Sequence, residues 1–350
     1  MLINYFHLVK IIKHMTKLIL PILTGLIFVG CSGTSKETPF SIEDEAIDLV
    51  TVDTLYNSSD LYFQAIDVKG DFFILNLINE KEDAFIIVRF EEGVPSVVRR
   101  IRYGQGPQDI VSGKILTGMA NYSDNSFVVY DNNTGKILTM DPMPDTEILT
   151  RVNENIIQMQ SPCFNDSLTV GHKLYSEDQF TIINGAEITN VAPYLEMSRD
   201  MHNRLGDHYD FMMSNSFAVN PIENRILSIS YFFNCIAAYT LDGKFIRASQ
   251  HETDITKEIE NREINEKYWV YSQPFAKDTV CYVKATRYVN DKSENQYLLK
   301  LNWNGEILSS YRLPDTARGY AVGEGTDLYC VISYNQGEEE VYSIVRYQLP

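Results

Sequence analysis

The side chains best suited to chemistry gather in one stretch, Arg199-Asp200-Met201-His202-Asn203-Arg204-Leu205-Gly206-Asp207-His208-Tyr209-Asp210-Phe211. It holds two of the four histidines that follow Cys31, the others being His172 and His251. Arg199, His202, Arg204, His208 and Tyr209 could surround an acidic or polar ligand, such as a peptide or glycan. The same composition also describes a solvated connection between folded units, the commoner use of such residues in loops. The sequence leaves both readings open and favours the second. The His202–His208 spacing is not the HExxH of a zinc site, no CxxC occurs, and no cofactor or metal is expected.

Carboxylates cluster at Glu43-Asp44-Glu45, Glu91-Glu92 and Glu338-Glu339-Glu340. Acid–base catalysis needs carboxylates in partly buried, perturbed settings. The first group falls in a tether and the others at hairpin tips, so all three read as solvated charge and no catalytic residue is assigned. Tyr268, Trp269 and Tyr271 could stack on sugar rings, although such aromatics more often pack between sheets.

The elements that must position these residues are strands. Tyr and Phe number 22 and 17 and favour pleated, half-buried surfaces. Short β-runs such as Phe72–Leu75, Phe85–Val88, Phe127–Tyr130, Ile226–Ile229, Tyr297–Leu301 and Tyr342–Val345 are each bounded by turn-forming residues. Helical periodicity is confined to about Thr256–Asn265. Three turns share one form: Asn133-Thr134-Gly135-Lys136, Leu241-Asp242-Gly243-Lys244 and Trp303-Asn304-Gly305-Glu306. Asp-Gly and Asn-Gly supply the positive φ of a tight hairpin. A unit of about 50 residues suits a four-stranded propeller blade, and the body has room for six. The expected blades are 57–104, 105–150, 151–197, 198–250, 251–314 and 315–350. Ala46–Leu55 would supply the last blade's missing strand and close the ring, removing the open sheet edges. A pair of β-sandwiches is the rival architecture.

The stretch Ile101-Arg102-Tyr103-Gly104-Gln105-Gly106-Pro107-Gln108-Asp109-Ile110 resembles the G-[RQ]-G-P-x-[ED]-[FIY] junction of six-bladed β-propeller lipoproteins of Bacteroidetes-type bacteria, which are grouped with TolB-like and NHL-like propellers. The sequence departs where that family often has Gly-Glu and here Gln108-Asp109 stand. The resemblance implies a six-bladed all-β propeller at the cell envelope. Gly104, Gln105, Gly106 and Pro107 read as a structural blade junction, the glycines letting the chain turn and Pro107 fixing the next entry. A phosphate-binding loop is rejected, because GxGxxG, the Lys-Ser/Thr pair and a following helix are missing.

The first thirty residues carry Lys10, Lys13 and Lys17, no acid, and an apolar run from Leu18 to Val29. That is the pattern of a signal peptide, and the run is short for a spanning helix. Phe28-Val29-Gly30-Cys31 resembles a lipobox, in which Cys31 is lipidated and becomes the first residue. Met15-Thr16-Lys17 opens a well-proportioned signal by itself, so Met15 is the expected start. The expected organisation is therefore signal peptide 1–30, lipidated tether 31–45 and propeller 46–350. Lys36-Glu37 faintly resembles a surface-export signal; periplasmic and surface display both stay open.

From Cys31 onward 27 basic residues face 47 acidic ones, a net charge of −20. So acidic a body repels nucleic acid, and the expected partners are the membrane, through the lipid, and an envelope protein, peptide or glycan. Cys163, Cys235, Cys281 and Cys330 sit in or beside strand-like runs and read as buried thiols rather than a disulfide framework. Two functions fit: a binding or scaffold module on one propeller face, or a hydrolase or lyase acting at the channel mouth on a carbohydrate or small ester.

Overall fold

The computed structural model describes residues 41–350 except 60, 79, 92–93, 121–124, 144, 174–175, 177, 194–213, 232–234, 251–267 and 338. Its strands form six sheets arranged as a six-bladed propeller. Two strands precede the first blade, β1 (Ala46–Asp48) and β2 (Val50–Ser58). Blade 1 is β3 (Phe63–Lys69), β4 (Phe72–Leu77), β5 (Asp83–Glu91) and β6 (Val94–Arg102). Blade 2 is β7 (Lys114–Ile115), β8 (Phe127–Asp131), β9 (Lys136–Met140) and β10 (Leu149–Val152). Blade 3 is β11 (Met159–Phe164), β12 (Leu168–Lys173), β13 (Phe180–Asn184) and β14 (Glu187–Val191). Blade 4 is β15 (Asn215–Asn220), β16 (Arg225–Ser230), β17 (Cys235–Tyr239) and β18 (Phe245–Gln250). Blade 5 is β19 (Tyr268–Ala276), β20 (Cys281–Val289), β21 (Lys292–Leu301) and β22 (Ile307–Leu313). Blade 6 is β23 (Ala317–Val322), β24 (Asp327–Gln336) and β25 (Glu339–Gln348), completed by β2. Every blade falls within its expected segment, except that β10 runs two residues past 150 and β2 extends to Ser58.

The ring closes as the alternation of 46–55 implied, with a difference in which residues do it. β2 pairs antiparallel with β25 from Val50↔Gln348 to Ser58↔Tyr342, and the Arg346 guanidinium holds Asp53 through two bonds of 3.0 Å. β1 instead adds a parallel fifth strand to blade 5, Ile47 standing opposite Tyr311. Residues 41–45, assigned above to the tether, belong to the folded body. Ile42 is 3% exposed, its carbonyl accepts from the Ser310 hydroxyl at 2.9 Å, and Glu43 pairs with Arg287. An apolar side chain with a site to fill is held there.

The core lies between blades. Alternate residues of each inner strand meet the neighbouring sheet, and aromatic pairs mark the seams. Phe73 meets Tyr329 between blades 1 and 6, Tyr130 meets Phe164 between blades 2 and 3, and Phe180 meets Phe217 between blades 3 and 4. Such edge-on or tilted pairs add about 0.5–1.5 kcal/mol each beyond their burial. The four cysteines after Cys31 are all buried thiols, not disulfides.

The three glycine turns have positive φ at Gly135, Gly243 and Gly305. Gly243 and Gly305 both join a blade's third and fourth strands, so their 62-residue separation is one blade. Gly135 joins the second and third, so the three are not copies of one hairpin. Gly104 and Gly106 lie where the chain bends between blades 1 and 2, and neither has positive φ. A Cβ on Gly104 would stand 2.7 Å, and on Gly106 2.5 Å, from an Asp109 carboxylate oxygen. That carboxylate accepts from the Gly106 N–H at 3.1 Å, and Lys136 Nζ donates to the Gly106 and Asp109 carbonyls. The glycines leave room for Asp109, which stands at the acidic position of the pattern.

Candidate functional site

The innermost strands of all six blades line one cavity of about 630 Å³. Its shape follows from irregularities in those strands. In β3 the pairing shifts between Phe63 and Ala65, leaving Gln64 as a bulge. In β11 it shifts between Gln160 and Cys163, in β19 between Ser272 and Phe275, and in β23 between Ala317 and Gly319. Four of six inner strands therefore bulge at one level, and the bulged residues Gln64, Ser161, Gln273 and Arg318 all line the cavity. A bulge re-aims a side chain that regular pairing would hold in the sheet. Ser161 and Gln273 take positive φ, 44° and 52°, and each precedes a proline that cannot join the ladder. Backbone strain in a non-glycine residue clusters where a site is being built.

Hydrogen bonds across blades fix this ring. Gln273 Nε2 donates to the Arg318 carbonyl at 3.2 Å. Tyr320 Oη donates to the Gln273 carbonyl at 2.5 Å and lies 2.9 Å from that of Tyr282. Burial holds the Tyr320 phenol well above its ordinary pKa, so it remains a donor. Gly319 is required by close approach, since a Cβ there would be 2.5 Å from the Gln64 carbonyl oxygen.

The cavity has a floor. β7 is only two residues long because the chain leaves blade 2 after Leu116 and crosses the channel. The Thr117 hydroxyl donates to the Pro274 carbonyl at 2.8 Å, and the Ala276 N–H donates to the Thr117 carbonyl at 2.7 Å. Val219 N–H donates to the Gly118 carbonyl at 2.7 Å, and Ala120 N–H donates to Val219 at 2.8 Å. Residues 117–120 thus strap blade 2 to blades 4 and 5. Leu116, Thr117 and Phe275 line both this cavity and a smaller one of about 260 Å³ beyond the strap. Among the described residues the strap divides the channel into a cup, lined by the first halves of the inner strands, and a separate chamber beneath.

The two spaces differ in charge. Lys114 and Arg318 are the charged residues among the described lining of the cup, with Ser112, Thr117, Ser161, Ser216, Ser272 and the amides of Gln64, Asn76 and Gln273. Arg318 turns its guanidinium aside, to Ser333 Oγ at 2.9 Å and Glu340 at 3.3 Å. No carboxylate and no imidazole stands among those lining residues. The lower chamber instead holds Asp67, Lys69, Lys277, Asp278 and Glu324. Asp67 is 4% exposed; burial raises its pKa, opposed by Lys69, the Val68 N–H and Lys277. Burial likewise lowers the pKa of Lys277.

Arg199, His202, Arg204, His208 and Tyr209 lie outside the described residues, as do His251, the helical stretch 256–265 and Cys31. His172 is buried in blade 3, its Nδ1 3.0 Å from the Gln179 carbonyl. Tyr271 is buried, Trp269 packs against Tyr297, and Tyr268 stacks on Tyr288; these are packing contacts rather than a stacking platform. Glu339 and Glu340 sit at the β24–β25 hairpin and Glu91 ends β5. Among the described residues no three metal-ligating side chains converge, and no helix is long and apolar enough to cross a membrane. The cup residues escaped the sequence reading. Their signal was Ser161-Pro162 and Gln273-Pro274, prolines inside strand-like runs, which are confined to edges and bulges.

No protein-family model and no curated protein sequence matches this chain. Solved structures do resemble it. A member of the duf4221 family from Bacteroides vulgatus is 13% identical, with a TM-score of 0.52 over 87% of this chain and 98% of that one. A Bacteroides fragilis protein whose name provisionally marks it as exported is 12% identical, with a TM-score of 0.48 over 86% and 94%. Regucalcin from Agrobacterium tumefaciens, a calcium-binding protein, is 9% identical, with a TM-score of 0.44 over 87% and 97%. At these identities the likeness of the first bears on the fold alone.

Proposed function

We propose that this chain is an exported lipoprotein, anchored through Cys31, whose propeller cup binds a peptide or glycan at the cell envelope. The anchor rests on the lysine-flanked apolar run, on Gly30-Cys31 and on the resemblance to Bacteroidetes-type propeller lipoproteins. The binding role rests on one observation: a floored cup, bulged on four blades, whose described lining offers hydroxyls, amides and cations without a carboxylate or imidazole. Such a lining hydrogen-bonds a polar ligand and places Lys114 to meet an anionic group on it. Two-carboxylate glycoside hydrolysis needs an acid and a base flanking the bond, which favours binding over the hydrolase or lyase reading.

The anchor is tested by intact mass of the membrane fraction, with and without Cys31→Ala. Cleavage before Cys31 plus lipid mass, lost in the variant, is the expected result; an uncleaved chain refutes it. The cup is tested by titrating oligogalacturonates and acidic peptides into the purified chain. Binding that weakens about tenfold in Lys114→Met, one charge-assisted contact, is expected. Turnover of chromogenic glycosides or esters would overturn the binding reading in favour of catalysis.

A further inference from the structure

The chamber of about 260 Å³ beyond the strap has a wall of mixed charge: Asp67 and Lys69 at the end of β3, Lys277 and Asp278 after β19, and Glu324 after β23. Asp67 is the anomaly among them. Pairing along β3 sets it opposite Ile74, which is fully buried, at a place where a blade seam normally carries an apolar side chain. Asp67 itself is 4% exposed. Its Oδ1 accepts from the Val68 N–H at 2.8 Å, and among the described residues nothing donates to Oδ2. That oxygen is not one of the sealed, unpartnered atoms of the fold; it keeps surface, and the space that Asp67 lines is the chamber. A carboxylate buried with one backbone bond costs stability, and charges held against that cost cluster where ligands bind.

Opposite charge stands near without touching. Lys69 and Lys277 both act on the Asp67 carboxylate, and Lys277 in turn feels Asp67, Asp278 and Glu324. Yet among the described residues Lys277 forms no ion pair; its Nζ lies over the Phe275 ring, 5.7 Å from the centroid, with three protons to donate. The charges are therefore coupled across the chamber rather than through a contact. A simple cation at Asp67 would meet two lysines, and a simple anion at Lys277 would meet three carboxylates. A ligand carrying both charges escapes both penalties. The chamber is also smaller than the clefts of about 300–1,000 Å³ that hold drug-sized molecules, and Met119, Val128 and Phe275 give it an apolar wall.

We propose that the lower chamber is a binding site for a free α-amino acid, its ammonium on Asp67 and its carboxylate on Lys277. The inference goes beyond the cup reading, because it concerns the other side of the strap, different residues and a ligand of both charges.

The test is a thermal-shift screen of the twenty standard amino acids on the purified full-length chain in detergent, followed by calorimetric titration of the one that stabilises most. Its N-acetyl and its amide derivatives each keep one charge, and each should bind about tenfold or more weakly, the loss of one charge-assisted contact. Asp67→Asn, which retains an acceptor for the Val68 N–H, should weaken the amino acid by a similar factor. So should Lys277→Gln, at a half-buried position that serves if the asparagine variant does not fold. Lys114→Met, in the cup, should leave amino-acid binding unchanged. A screen in which no amino acid binds overturns the proposal. So does an N-acetyl derivative that binds as well as the free amino acid, or an Asp67→Asn chain that binds as the parent does. The cup reading fails separately, through acidic oligosaccharides and peptides that do not bind or do not respond to Lys114→Met.

Discussion

Replacing Gly118 by alanine should unlatch the strap that floors the cup. A Cβ at this position would lie 2.4 Å from the Phe217 carbonyl oxygen and 3.3 Å from Cys163 Sγ. Phe217 belongs to β15, whose pairing with β16 runs unbroken through Phe217↔Ser228, so the strap must give way instead. A retreat of about 1 Å carries the two 2.7 Å bonds that the Gly118 and Thr117 carbonyls accept from the Val219 and Ala276 N–H groups to the limit of hydrogen bonding. Two lost bonds at about 1 kcal/mol each and about 1–2 kcal/mol of overpacking outweigh the gain of under about 1 kcal/mol from a stiffer unfolded chain. The net loss is about 2–3 kcal/mol, and Tm should fall by about 5 °C at this chain length. Cys163 supplies a local readout. It is a buried thiol, 1% exposed, with its pKa pushed up by that burial, and it packs directly against the strap. Thiol labelling at neutral pH should be negligible in the parent and measurable in Gly118→Ala. Gly185→Ala is the control: Gly185 has positive φ but nothing near its missing Cβ, so it should lose some stability without exposing Cys163. A Gly118→Ala chain with parental Tm and an unreactive Cys163 would refute the strap's role.

The other expectations concern closure, the blade junction and pH. Deleting residues 41–58 removes β1 and β2 and leaves β25 without its partner, so the shortened chain should elute as aggregate in size-exclusion chromatography; a monomeric, cooperatively melting product would contradict closure by β2. Asp109→Ala strips the carboxylate from the Gly106 N–H and should cost about 1–2 kcal/mol in urea denaturation, while Gln108→Ala, at the neighbouring exposed position, should cost little. Asp67→Asn tests linkage. The folded-state pKa of Asp67 is raised by burial, so the parent loses stability as pH rises from the unfolded value near 3.8 through that raised value. The asparagine variant should therefore be more stable than the parent at neutral pH, and the difference should vanish below about pH 4; equal stability at pH 7 would show that Lys69 and Lys277 fully offset the burial.

The architecture was legible because propeller signals are local and repeated. Alternating aromatic strands, glycine turns with positive φ and an unpaired N-terminal strand pattern each report on a few adjacent residues. The limits of that locality show in the turns: Asn133–Lys136 and Asp242–Lys244 look alike, yet they join different strands of a blade. The cup was not legible, because it is a property of six inner strands brought together from residues 64 to 320. Only the two in-strand prolines mark it in sequence. The strap was hidden for the same reason, since nothing in Leu116-Thr117-Gly118 announces bonds to residues 219 and 276. Asp109 was visible as the acidic position of a family pattern, but its role in requiring Gly104 and Gly106 appears only when the carboxylate is seen folded back on them.

The most direct test of the cup as the binding site is hydrogen exchange of the full-length chain, with and without a saturating acidic oligosaccharide or peptide found by titration. The expected result is protection confined to segments 112–118, 272–276 and 316–320, with Lys114→Met needing about tenfold more ligand to reach it. Protection elsewhere on the propeller with these three segments unchanged would contradict the account and move the ligand off the channel.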